Sequence, residues 1–183
     1  MARGKVPKRL VIAGAAALAA PALIAASQFA WLVILDPFGG GSHPTDEAML
    51  AQFQGKRKIL EELVRMVDEN PKLLRVAPDF TRPEDFGSAD VSPDRLAIYR
   101  RLFREAGVAH GFSHYGETIE FIVHTRGLAI GGSGKGFAYA ADADPDATII
   151  EGDLDAAAAS LSMKDVLLER RIDGNWWLEL DMR

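Results

Sequence analysis

The sequence predicts an α+β domain, two helices packed on an antiparallel sheet of about four strands, carried behind one transmembrane helix. Three observations predict it. Residues 10–35 form a run of 26 without one charged side chain. Apolar residues then recur at three- and four-residue intervals over two stretches, the signature of amphipathic helices. Beyond residue 118 the period falls to two, and an Asp-Gly pair separates the last two strand-like runs, a strong short-range hairpin signal. The organisation expected is a cytoplasmic basic tail (1–9), a signal-anchor helix (10–35), a linker (36–44) and an extracytoplasmic domain (45–183).

The charge-free run is long enough to cross a hydrocarbon core of about 30 Å as a helix. Arg3, Lys5, Lys8 and Arg9 precede it, while residues 36–47 contain no Lys or Arg. Under the positive-inside bias the N-terminus is expected in the cytoplasm and the domain outside it, with the anchor in the inner (cytoplasmic) membrane. Ala25-Ala26-Ser27 offers a cleavage site of the secretory type. Against cleavage, residues 29–35 continue apolar, and Trp31 suits the far membrane interface. An uncleaved anchor is therefore favoured, and both readings put the domain on the same side.

Charge narrows the partners. All 26 acidic residues but only 17 of the 21 basic ones lie at or beyond Asp36, a balance of −9 for the part after the anchor. Such a domain is a poor nucleic-acid binder, because phosphate neutralisation needs a basic surface. The absence of cysteine removes disulfides, thiolate metal sites, cysteine nucleophiles and the acylated cysteine of a lipoprotein.

The first helix opens at Pro44-Thr45-Asp46 with Thr45 or Ser42 as cap. Its stripe is Met49, Leu50, Phe53, Leu60, Leu63, Val64 and Val67, and it stops before Pro71. Residues 73–90 read as irregular, with Phe80 plugging the core. The second helix has an N-cap, an N1 proline and an acid in Ser92-Pro93-Asp94, and a left-handed C-terminal stop at Gly107. Arg95, Arg100, Arg101 and Arg104 gather on its outer side. They are read as a solvated face, with an anion-binding or acidic-partner role as the alternative.

The first hairpin is expected from residues 118–125 (TIEFIVHT) and 135–141. The second spans 166–172 and 175–182 around Asp173-Gly174, and residues 154–161 (LDAAAASL) make a short helical connection between them.

Four constellations invite a chemical reading. The stretch 131–136 (GGSGKG) resembles a phosphate loop but has Ala129 where the first glycine belongs, Gly136 where Ser or Thr belongs, and no helix after it. Asp142, Asp144 and Asp146 resemble the start of a calcium loop, yet Ala147 and Asp153 stand at its sixth and twelfth positions. His110 and His114, with Glu117 nearby, lie in a glycine-punctuated stretch read as a loop, which fixes no metal or acid–base geometry. Trp176 and Trp177 fall on opposite faces of the last strand, one in the core and the other stacked on Arg170 or exposed for binding. No cofactor or metal is implied. The candidate surface residues are His110, His114, Glu117, Arg100, Arg101, Arg104 and Trp177.

Asp79-Phe80-Thr81-Arg82-Pro83, Tyr99-Arg100-Arg101-Leu102-Phe103 with Gly107, residues 132–139 (GSGKGFAY) and Asp173-Gly174-Asn175-Trp176-Trp177 together carry a resemblance. Over residues 59–180 the chain resembles an uncharacterised group of small bacterial proteins with an N-terminal apolar segment. The resemblance implies no activity, ligand or catalytic residue. The function expected is thus a membrane-anchored module of the cell envelope that binds a protein partner. The alternative is a small-ligand-binding or hydrolytic domain using the stretch from His110 to Glu117.

Overall fold

Thr45 turns the chain into its first helix: its hydroxyl accepts the Ala48 amide at 3.3 Å, and α1 (Asp46–Glu69) runs from there to an Asn70 cap. The computed structural model describes residues 42–127, 132–161 and 165–182. The expected tail 1–9, the membrane segment 10–35 and the linker up to residue 41 lie outside them. Among the described residues no helix is long and apolar enough to cross a membrane.

After α1 come two short strands, β1 (Arg75–Val76) and β2 (Thr81–Arg82), and a 3₁₀ turn (Phe86–Ala89). Helix α2 (Pro93–Ala106) starts on Ser92, which accepts the Arg95 amide at 3.2 Å, and stops on Gly107 at φ 75°. The remainder is β3 (Phe112–Tyr115), β4 (Thr118–Arg126), β5 (Ser133–Tyr139), β6 (Ala147–Ile149), α3 (Leu154–Leu161), β7 (Leu167–Asp173) and β8 (Trp176–Asp181).

All the strands join one eight-stranded sheet in the order β2-β1-β3-β4-β5-β8-β7-β6. This corrects the expected four-strand, two-hairpin sheet. The α+β content stands, but the sheet has twice the strands and is mixed, since β6 pairs parallel with β7. The parallel pair needs a crossover, and α3 supplies it, so residues 154–161 are a third packed helix rather than a bare connection. The stretch from His110 to Glu117 is likewise β3 and its turn, with Tyr115 opposite Thr118 across Gly116-Glu117.

The core lies between the helices and one face of the sheet. Alternation sends Ile119, Phe121 and Val123 of β4 inward, and the register aligns Phe121 with Phe137 and Phe137 with Leu178. Phe53 of α1 meets Phe137 at 5.7 Å and Trp176 at 5.4 Å, ring centre to ring centre, while Tyr99 of α2 meets Phe112 at 5.5 Å. Phe80 is not the expected plug. It is 43% exposed, and the Arg75 guanidinium lies 5.4 Å from its ring centre.

Candidate functional site

Lys135 occupies an inward position of β5, two residues before Phe137, and its side chain is wholly excluded from solvent. A charge in an apolar interior must be compensated. The compensation is complete here: Nζ lies 2.7 Å from Asp46 Oδ1 and 2.7 Å from Asp155 Oδ2, and donates to the Pro44 carbonyl at 2.9 Å. Asp46, only 3% exposed, also faces Arg170 Nη1 at 3.2 Å and accepts the Leu154 amide on Oδ2 at 2.9 Å. Arg170 in turn donates to the Gly152 carbonyl. Asp46 and Asp155 stand in the first turns of α1 and α3, where the helix dipoles favour a carboxylate. One buried network thus ties the start of α1, the start of α3, β5 and β7.

A histidine cluster abuts it. His43 Nε2 lies 2.7 Å from Ser133 Oγ, and His43 Nδ1 lies 3.0 Å from His124 Nδ1, the rings meeting edge to face. One assignment of hydrogens serves both contacts: Ser133 donates to His43, and His43 donates to His124. His110 Nε2 is 3.1 Å from Thr125 Oγ1. Burial, then the neighbouring His124 and Lys135, hold His43 down at about 4; burial and His124 lower His110 as well. His43 is therefore neutral at neutral pH and able to accept a proton from Ser133.

Asp46, Asp153 and Asp155 bring carboxylate oxygens within 4.8 Å of one another, a spacing that could hold a metal ion. Lys135 and Arg170 already supply cationic groups to these carboxylates, and Asp153 Oδ1 is engaged by the Ala156 amide at the start of α3. The donor set is that of an internal ion network. The calcium-like stretch is an acidic turn in which Asp144 Oδ1 accepts the Asp146 amide and Glu169 accepts the Asp144 amide.

The residues expected at a site do not converge. His114 lies on β3 opposite Ile119 with Nδ1 unpartnered, Glu117 is exposed in the β3–β4 turn, and His110 stands with Thr125. Trp177 is buried, its indole N–H donates to the Ala140 carbonyl at 3.2 Å, and Arg171 stacks on it at 5.0 Å. The expected partner, Arg170, lies opposite Leu178 on the helix side and turns to Asp46 instead. On α2, Arg101 pairs with Glu105 and Arg95 with Glu69. Arg100 reaches only the Ala77 carbonyl, at 3.5 Å, and Arg104 has no ion pair among the described residues.

Sequence reasoning missed His43, Asp46, Lys135, Asp155 and Arg170. A signal existed for one of them. Lys135 alternates with Phe137 and Tyr139, so a strand reading puts a lysine on the apolar face and demands a buried acid.

Depressions mark the surface of the described residues, three of them near the elements above. One of about 380 Å³ lies over Gly134 and Gly136 with Glu120, Ile122 and Arg126 around it. One of about 370 Å³ is lined by Phe80, Phe86 and Leu96, and one of about 260 Å³ by Pro78, Phe103 and Val108; Arg100 borders both.

The class defined by these features is an α+β domain with a mixed sheet and a buried ion network at its leading end. Comparison with protein-family models, with curated proteins and with solved structures finds no match to this chain.

Proposed function

We propose that the protein is a single-pass, membrane-anchored module of the cell envelope whose extracytoplasmic domain binds a protein partner. The anchor, its orientation and the acidic domain behind it support the location. The observation that carries the reading is the charge-free run at 10–35, with Arg3, Lys5, Lys8 and Arg9 before it and no Lys or Arg in residues 36–47. Only residues 36–42 separate the apolar run from His43, and seven residues reach at most about 25 Å. Crosslinking in intact membranes, followed by pull-down of the full chain after solubilisation, tests this reading. A specific protein partner is expected, retained or weakened when residues 1–38 are deleted; repeated failure to capture any partner contradicts it.

One observation favours a second, hydrolytic reading. The Ser133–His43–His124 chain, with contacts of 2.7 and 3.0 Å, has the order of a nucleophile, a base and a group that orients the base. In that reading Ser133 Oγ attacks an acyl carbonyl as its proton passes to His43 Nε2. A fluorophosphonate probe that labels the protein, and fails to label Ser133→Ala, would support it; no labelling of the folded protein would remove it.

A further inference from the structure

Helix α2 runs beside residues 77–86, and the two depressions bordered by Arg100 lie in the seam between them. The floor is apolar. Leu96 and Phe86 line one part, Phe103 and Val108 the other, and Phe80 stands 43% exposed at the edge. The two ends differ in charge. Asp79 and Glu84 border the depression nearer Pro93, Arg104 borders the one nearer Gly107, and Arg100 stands between them and borders both.

The arginines are the telling feature. Two of the four on α2 are matched by carboxylates of the domain, Arg95 by Glu69 and Arg101 by Glu105. Arg100 and Arg104, one helical turn apart, have no carboxylate at ion-pair distance among the described residues, although the part beyond the anchor carries nine more acidic than basic side chains. Like charges at this spacing repel, and the compensation that α2 gives its other arginines is withheld from the two that border the seam. Arg100 is also half-buried against Ala77, so its charge is held at the groove rather than free to swing into solvent.

We propose that this seam docks an extended segment of the partner protein, with apolar side chains along its middle and Asp or Glu at the Arg100–Arg104 end. The inference rests on the interaction-module reading and names its binding face. From Pro93 to Val108 the seam is about 22 Å long at helical rise, which suits six or seven residues of extended chain. The apolar floor supplies burial, the two guanidiniums fix the acidic end, and Asp79 with Glu84 set the direction by favouring a basic residue at the other end. The same two carboxylates disfavour an anionic lipid headgroup as occupant.

The test uses the full chain in nanodiscs of neutral lipid and a fluorescent probe peptide, Lys-Leu-Val-Leu-Asp-Glu, with Lys-Leu-Val-Leu-Asn-Gln as control. Saturable binding, at least tenfold tighter for the acidic peptide and at least tenfold weaker for Arg100→Glu combined with Arg104→Glu, is expected. Equal affinity for the two peptides, an unaffected variant, or no saturation below millimolar peptide overturns the assignment. Arg100→Ala with Arg104→Ala, which adds no new charge, repeats the comparison should the reversed variant fold poorly. A photoreactive residue at Ala109, beside the seam, or at Thr148, on the distant β6 edge, separates this inference from the broader reading. Protein crosslinks from Ala109 that vanish on charge reversal support the seam. Crosslinks from Thr148 alone overturn the seam and keep the module. Crosslinks only between copies of this chain overturn a foreign partner, and none from either position sinks both readings.

Discussion

Lys135 and Asp46 meet 2.7 Å apart with both side chains shut off from water, one from the middle of the sheet and the other from the first turn of α1. Removing either leaves a charge buried with half its compensation, which typically costs about 3–5 kcal/mol. Asp46→Ala and Lys135→Met should each lose roughly that amount, measured by urea unfolding with tryptophan fluorescence. Asp46→Leu combined with Lys135→Met should lose less than the sum, because neither member of the Lys135–Asp46 pair is left stranded, although Arg170 still loses its carboxylate. Single losses below about 1 kcal/mol would show that the network does not clamp the leading end.

The histidine cluster makes stability depend on pH. His43 has its folded value depressed from 6.5 to about 4. Between these values the unfolded chain takes up the proton that the folded state refuses. The contribution is therefore intact above pH 6.5 and falls away as pH drops towards 4. Because His43 is only half-buried, solvent screening limits the effect to about 1–2 kcal/mol. The stability lost between pH 7 and pH 4.5 should shrink by that amount in His43→Gln. An identical pH profile for the two proteins would contradict the assignment.

Two glycines of β5 should behave oppositely. A Cβ on Gly136 would sit 2.2 Å from the Phe121 carbonyl oxygen, a backbone atom of the neighbouring strand, whereas one on Gly134 meets nothing within 4 Å. Gly136→Ala must push β4 and β5 apart and should cost about 3 kcal/mol or prevent folding, at or beyond the upper end of overpacking. Gly134→Ala should stay within about 1 kcal/mol. Thermal unfolding of the pair decides, and equal midpoints would mean that the strands do not pass so closely.

Arg170 and Arg171 are neighbours with different duties. Arg171 stacks on Trp177 from the exposed side, worth about 0.5–1 kcal/mol. Arg170 answers the buried Asp46 and the Gly152 carbonyl, so its loss should cost at least about 2 kcal/mol. Arg170→Ala should thus unfold at lower urea than Arg171→Ala, and the reverse order would mean that the expected Arg170–Trp177 stacking is the real one.

The parts legible in the sequence are those fixed by local chemistry. Ser92, Pro93 and Gly107 bound α2 because caps and the left-handed stop act within a few residues, and Asp173-Gly174 turns β7 into β8. The rest of the sheet was hidden for physical reasons. Strands β1, β2 and β6 are two or three residues long and carry no period. Gly111 and Gly116 made β3 look like a loop. Yet a Cβ on Gly111 would lie 1.8 Å from the Val76 carbonyl oxygen, so that glycine marks the close passage of β1. The ion network was harder still, since Asp46, Lys135, Asp155 and Arg170 come from four separate segments. That Arg100 and Arg104 lack a carboxylate partner among the described residues depends on where the other carboxylates fall, which no periodicity reports.

The proposed anchoring of the domain outside the membrane by residues 10–35 is directly measurable, because the chain contains no cysteine. Thr148→Cys places a single thiol on the exposed β6 edge, and Ala2→Cys places one in the basic tail. A membrane-impermeant maleimide applied to intact cells should label the first but not the second until lysis, with the labelled protein at full length in the membrane fraction. Labelling of Thr148→Cys only after lysis would contradict the account.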